Sequence, residues 1–257
     1  MSINIKGFLA GLLSGVFYLG LSAFGSELVQ PTVSSFTEKY YSYYFSLYEK
    51  AKAAHLKNTN DVETALKFAK SCFELGEFAT NSAQRASLAN EGIEVCKEII
   101  KTNSLNAEAH YWLAMNYAQL SRTKGWGALK IVSEMEKEYL KAIEINPRID
   151  YAGPHRLLGL LYRDAPGWPI SIGSKTKARY NLEQAVKLAP EFPDNQIFLI
   201  ESYLKWSEKK LAEEQYKKAL PLIESARAVF HGKEWEASWD DWNNRLKKIE
   251  SKLNIKN

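Results

Sequence analysis

The strongest constraint on this chain is a recurrence of 34 residues. Ala178, Leu182 and Ala185 return 34 positions later as Ala212, Tyr216 and Ala219. Upstream of them Leu158, Gly159 and Tyr162 stand at helical spacing, and Pro190 closes the unit. Large apolar residues on one helix and small ones on the next let two backbones approach closely where the helices cross. The unit is therefore a helical hairpin, and the recurrence makes it a tandem array.

That pattern is the tetratricopeptide (TPR) signature. Weaker copies precede it. Ala65, Phe68, Ala69 and Cys72, then Gly92, Cys96 and Ile99, mark a first repeat. His110, Leu113, Ala114 and Tyr117, then Tyr139, Ala142 and Pro147, mark a second. The fold class expected is all-α, a TPR-like α-solenoid of about four helical hairpins with flanking N- and C-terminal helices. The N-terminal flank runs from Phe36 to about Lys57; its tyrosines, Tyr40, Tyr41, Tyr43 and Tyr44, surround the helix and predict cover on more than one side. At the other end Trp235, Trp239, Trp242, Leu246, Ile249 and Leu253 form one apolar stripe, suited to a cap or to an oligomer contact.

Spacing inside the repeats locates insertions. Tyr203 to Ala219 is 16 residues, whereas Tyr162 to Ala185 is 23 and Tyr117 to Ala142 is 25. The first three hairpin loops are therefore expected to be swollen on one edge. They hold Gly76-Glu77-Phe78, Gly125-Trp126-Gly127 and Ala165-Pro166-Gly167-Trp168-Pro169, each an aromatic ring among turn residues. Such a ring either plugs its own hairpin or meets a partner. Trp126, Lys124 and Lys175 are the candidate partner-binding residues, with Lys177 and Trp168 beside them.

The domain reading is 1–25 as signal peptide or N-terminal anchor, 26–35 as linker and 36–257 as the helical domain. Gly7–Gly25 is uncharged and apolar, and Ala23-Phe24-Gly25 offers small residues for cleavage before Ser26. No cysteine follows to take a lipid, so any membrane attachment would run through an uncleaved N-terminus. Export points to a periplasm, where Cys72 and Cys96 could form a disulfide or stay as buried thiols. A net charge of +4 on 257 residues does not argue for nucleic acid. His55, His110, His155 and His231 show no zinc-site pairing, and neither a phosphate loop nor a nucleophile elbow is present. The sequence supports no enzyme, metal or cofactor.

Three segments together go beyond a generic repeat: Gly153-Pro154-His155-Arg156-Leu157-Leu158-Gly159, Ala165-Pro166-Gly167-Trp168-Pro169 and Gly173-Ser174-Lys175-Thr176-Lys177-Ala178. They resemble the T component (TatT-like) of tripartite ATP-independent periplasmic (TRAP) transporters, over roughly residues 60–220. The resemblance implies a periplasmic homotrimer whose protomers are threaded by a channel. It also implies pairing with the periplasmic substrate-binding protein of the transporter and handling of a small apolar or organic-acid ligand. The alternative is a generic periplasmic TPR scaffold for protein–protein interaction in envelope assembly.

The repeat register places Tyr111, Met115, Arg156, Leu160, Ile197 and Glu201 on the concave face of the first helices. Tyr111, Met115, Arg156 and Leu160, with Trp168, are the candidate ligand-binding residues, expected to line one apolar cavity. Arg156 would be its fixed charge, paired with a carboxylate of the protein or an acidic group of the ligand.

Overall fold

A computed structural model describes residues 35–255, and it is an all-α, TPR-like solenoid. The segment 1–25, and with it the choice between signal and anchor, lies outside the described residues. Among the described residues no helix is long and apolar enough to cross a membrane, and no strand forms. The chain divides into two compact units, 35–135 and 136–255, with the division inside one helix.

The first unit holds α1 (Ser35–Lys57), α2 (Val62–Glu77), α3 (Ser82–Thr102), α4 (Ala107–Ser121) and the start of α5 (Ala128–Ile145). Asp61, Asn81 and Asn106 stand in extended backbone before α2, α3 and α4. Their side chains accept from the amides of Glu63, Gln84 and Ala109 at 3.1, 2.8 and 2.9 Å. Each cap satisfies an amide that the first helical turn leaves without a partner. Ala69, Cys72, Ala89 and Cys96 are fully buried between α2 and α3, the small residues that let these helices close. Asn116 of α4 donates to the carbonyls of Ala69 at 3.0 Å and Trp112 at 2.9 Å, tying the next hairpin to the first. On α1 the buried tyrosines are Tyr40, Tyr44 and Tyr48, spaced by four, with Tyr44 stacked on Phe78 at 4.5 Å. Tyr41 and Tyr43 are half-buried and Phe45 is exposed, so α1 packs by one stripe rather than being covered all round.

The second unit holds the rest of α5, then α6 (Ile149–Asp164), α7 (Lys175–Leu188), α8 (Pro193–Lys205), α9 (Lys209–Ala226) and α10 (Glu236–Leu253). At Gly159 an added Cβ would stand 2.8 Å from Cγ of Leu182 and 3.1 Å from its backbone nitrogen. A side chain there would hold α6 and α7 apart. The TPR small-residue position is thus occupied for the reason the pattern predicts. α10 buries Trp242, Ile249 and Leu253 against its unit, and Trp235, Trp239 and Leu246 are half-buried. Phe192, Phe230, Trp235 and Trp242 pack ring to ring, with centroids 4.7–6.3 Å apart.

Two expectations about length are corrected. The first hairpin has no swollen loop: Gly76 and Glu77 end α2, the connection is 78–81, and the added length has gone into α3. In the second hairpin the connection 122–127 takes part of the insertion and α5 takes the rest. The third hairpin does carry its insertion as a loop, 165–174. Extending a helix satisfies each added backbone group internally, which an exposed loop cannot do.

Candidate protein-interaction surfaces

The 165–174 loop is held by its own backbone. Gly173 donates to the Pro166 carbonyl at 2.8 Å, and Ser174 to the Tyr162 carbonyl at 2.8 Å. Ile170 and Ser171 both donate to Gly167, at 3.0 and 3.2 Å. Gly173 admits no side chain, because a Cβ would fall 2.1 Å from the Ala165 carbonyl oxygen. From this braced turn Trp168 projects 89% exposed and Ile170 66% exposed. Trp168 is therefore not a hairpin plug, and it does not share a buried wall with Arg156, which is 2% exposed.

The lysines beside the loop are already engaged. Lys175 pairs with Glu208 at 2.8 Å and lies over the Trp206 ring at 5.6 Å. Lys177 lies over Tyr162 at 4.9 Å and stands 3.7 Å from Glu136. Arg179 also reaches Glu208 and packs on Tyr203 and Trp206 at 5.3 and 5.2 Å. The hydrogen bond from Lys175 leads in holding the Glu208 carboxyl below its ordinary range; desolvation opposes it and Arg179 assists. Lys175 thus braces the base of the surface, and Trp168 and Ile170 are its free part. In the other unit Lys124 is exposed and accepts at its carbonyl from Gly127 at 2.9 Å. Trp126 falls in the turn Gly125–Gly127, and its side chain lies outside the described positions.

The predicted interior residues are buried, within separate units. Tyr111 and Met115 are 0% and 1% exposed on α4, with Tyr111 against Trp112 at 4.9 Å. Arg156 and Leu160 are buried on α6. Arg156 meets the protein's own carboxylate, with Nη2 at 2.8 Å from Asp150. Its Nη1 donates to the carbonyls of Asp150 and Tyr151, each at 3.2 Å, and to Asn195 Oδ1 at 3.1 Å. It also lies 4.9 Å above the Phe192 ring. These bonds hold a strained turn, since Asp150, Tyr151 and Ala152 all have positive φ, at 48°, 55° and 61°. Asn195 Nδ2 closes the knot on the carbonyls of Tyr151, Ala185 and Ala189, at 2.8–3.1 Å. Of the two partners expected for Arg156, the structure supplies the internal one.

The histidines within the repeats serve packing. His110 Nε2 is 3.0 Å from the Ser104 carbonyl, and His155 Nδ1 is 2.9 Å from Asn181 Oδ1. Burial lowers the His155 pKa, against the Asn181 bond that raises it. Cys72 and Cys96 are buried thiols with no disulfide between them, and burial first, then Glu91 and Cys96, pushes the Cys72 thiol up. Among the described residues no group of three or more His, Cys, Asp or Glu could hold a metal.

The apolar stripe on α10 gave no warning of Arg245. This residue is 1% exposed and meets Asp194 at 2.9 Å, Glu201 at 3.0 and 3.1 Å and Asp241 at 3.3 Å. It lies 3.8 Å over Phe198, while Trp242 Nε1 donates to Asp194 at 3.1 Å. Burial alone would lower its pKa; Glu201, Asp241 and Asp194 together raise it. The available signal was Asp194 and Glu201 seven apart on α8, one helical face, opposite Asp241 and Arg245 four apart on α10. A further concavity of about 430 Å³ lies in the first unit, lined among others by Val62, Ala65, Ile99, His55, Glu94 and Glu98. None of the predicted ligand residues lines it.

Among known proteins, the family model for regulator of microtubule dynamics protein 1-3 matches residues 32–163. The thermophilic TPR protein TTC0263 of Thermus thermophilus is similar over 82% of this chain and 95% of its own, at 22% identity and a TM-score of 0.59. The MamA structure covers 75% of this chain and 96% of its own, at 21% identity and a TM-score of 0.49. No curated protein matches the chain. The first of these structures bears on the fold alone.

Proposed function

The chain belongs to the family of regulator of microtubule dynamics protein 1-3, whose model spans just over half of it, and from that premise we propose a non-catalytic scaffold that binds a protein partner through the Trp168 loop. The observation that carries this reading is an 89% exposed tryptophan on a hydrogen-bonded turn. A large apolar ring held in water by ordered backbone loses little further conformational entropy when a partner covers it. Tryptophan is also among the residue types most enriched where binding energy concentrates. Ile170 beside it, 66% exposed, extends the apolar contact.

The test is site-specific photo-crosslinking of the full chain in its native cells, with benzoylphenylalanine replacing Trp168. A discrete adduct is expected that Ile170→Asp removes and that the same label at exposed Lys210 does not form. Absence of an adduct above the Lys210 control would overturn the reading. The identity of the adduct then selects the setting. The family description makes microtubules the first partner to seek. The sequence resemblance makes it a periplasmic substrate-binding protein of a TRAP transporter, or a second copy of this chain.

A further inference from the structure

The concavity in the unit 35–135 is lined from the end of α1, the start of α2 and the C-terminal half of α3. Its volume of about 430 Å³ falls within the range of small-molecule sites, about 300–1,000 Å³. The apolar lining is Val62, Ala65, Val95 and Ile99. Ala65 and Ile99 are buried and form a core cluster with Ala109, against which Val95 also packs. Val62, the first residue of α2, is 39% exposed. An aliphatic surface continuous with the core is therefore left open to water.

The carboxylates of the lining have a fixed relation to that surface. Glu94 and Glu98 are four apart on α3, and Val95 and Ile99 directly follow them, so a row of carboxylates runs beside a row of aliphatic side chains. Among the described residues that line the cavity there is no lysine or arginine. His55 is the other ionisable residue there, and its ring stacks on Phe68 with centroids 5.5 Å apart. Both glutamates meet cations from outside the lining, Glu94 with Lys97 at 3.2 Å and Glu98 with Lys101 at 3.7 Å. All four of these side chains are exposed. Exposed pairs of this kind hold weakly, so each lysine can yield its carboxylate to another ammonium.

We propose that this cavity binds an alkylammonium group, a short aliphatic chain ending in a protonated amine. The chain covers Val62, Ala65, Val95 and Ile99, and the amine donates to Glu94 and Glu98 in place of the two surface lysines. At roughly 30 Å³ for each water-sized group, the cavity has room for a six-carbon amine. An anionic head on the same chain would face both glutamates and be rejected. The amine can come from a free alkylamine or from the lysine side chain of a partner. The site does not depend on the Trp168 loop, which belongs to the other unit.

The experiment titrates the full chain, isotope-labelled at its valine and isoleucine methyls, with hexylamine, hexanoate, a short peptide carrying one lysine and the acetyl-lysine form of that peptide. The methyl resonances of Val62, Val95 and Ile99 are followed. A saturable shift of all three is expected with hexylamine or the lysine peptide, and none with hexanoate or the acetylated peptide. Tighter binding of the peptide names a partner's lysine as the source, and tighter binding of hexylamine names a free amine. The double variant Glu94→Gln, Glu98→Gln alters only exposed side chains, so the fold survives, and it should weaken binding by about fivefold. No saturable shift with either amine, an equal response to hexanoate or to the acetylated peptide, or binding undiminished in the double variant would overturn the proposal.

Discussion

Arg245→Met in the second unit tests how α10 is held. The guanidinium is 1% exposed and meets three carboxylates between 2.9 and 3.3 Å. Removing one partner of a buried ion pair costs about 3–5 kcal/mol, because the remaining charge stays desolvated. Glu201, with a side chain 18% exposed, can turn to water, whereas Asp194 at 1% cannot. The expected loss is therefore about 3–4 kcal/mol, a large part of the roughly 5–15 kcal/mol that holds a typical domain. Urea unfolding followed by tryptophan fluorescence suits the measurement, since Trp168, Trp206, Trp235, Trp239 and Trp242 all lie in this unit. Adding Asp194→Asn to the variant should restore at least about 1 kcal/mol, because an amide can still accept from Trp242 without leaving a buried charge.

The dependence on pH has a definite sign. Arg245 has its pKa raised in the folded state. Its contribution is therefore fully present at every pH below the ordinary arginine value, and is flat across the neutral range. A loss below about 1 kcal/mol, or no recovery with Asp194→Asn, would refute the reasoning.

Gly159→Ala should cost about 1–3 kcal/mol in thermal or urea unfolding, since the new methyl meets Leu182 backbone as well as side chain, and backbone cannot rotate away. The depressed pKa of His155 means that stability is full above the ordinary histidine value of 6.5 and is lost as pH falls through the folded value; His155→Gln should flatten that slope. Cys72 and Cys96 should react with a thiol reagent only after unfolding, because both are fully buried and burial raises the Cys72 thiol pKa.

What the sequence determined by itself is the part of the fold that depends on nearest neighbours along a repeat. Small residues at 178, 185, 212 and 219 and Gly159 specify where helices cross, and the structure buries each in that role. Asp61, Asn81 and Asn106 mark helix starts by side-chain chemistry that is local in sequence. The partner of Arg156 was legible only as a pair of alternatives. Its choice of Asp150 required the left-handed turn at 150–152, which no spacing rule announces. Insertion lengths told how many residues were extra but not whether they would extend α3 and α5 or form the 165–174 loop. That choice belongs to packing, which decides whether added turns find a surface to cover. The exposure of Trp168 and the burial of Arg245 were likewise tertiary decisions. A ring among glycines and prolines reads the same as plug or as contact, and an arginine on a helix reads as solvated until an opposing face supplies its carboxylates. Interactions between residues close in sequence can be read from spacing, but those that join distant segments exist only once the chain has closed around them.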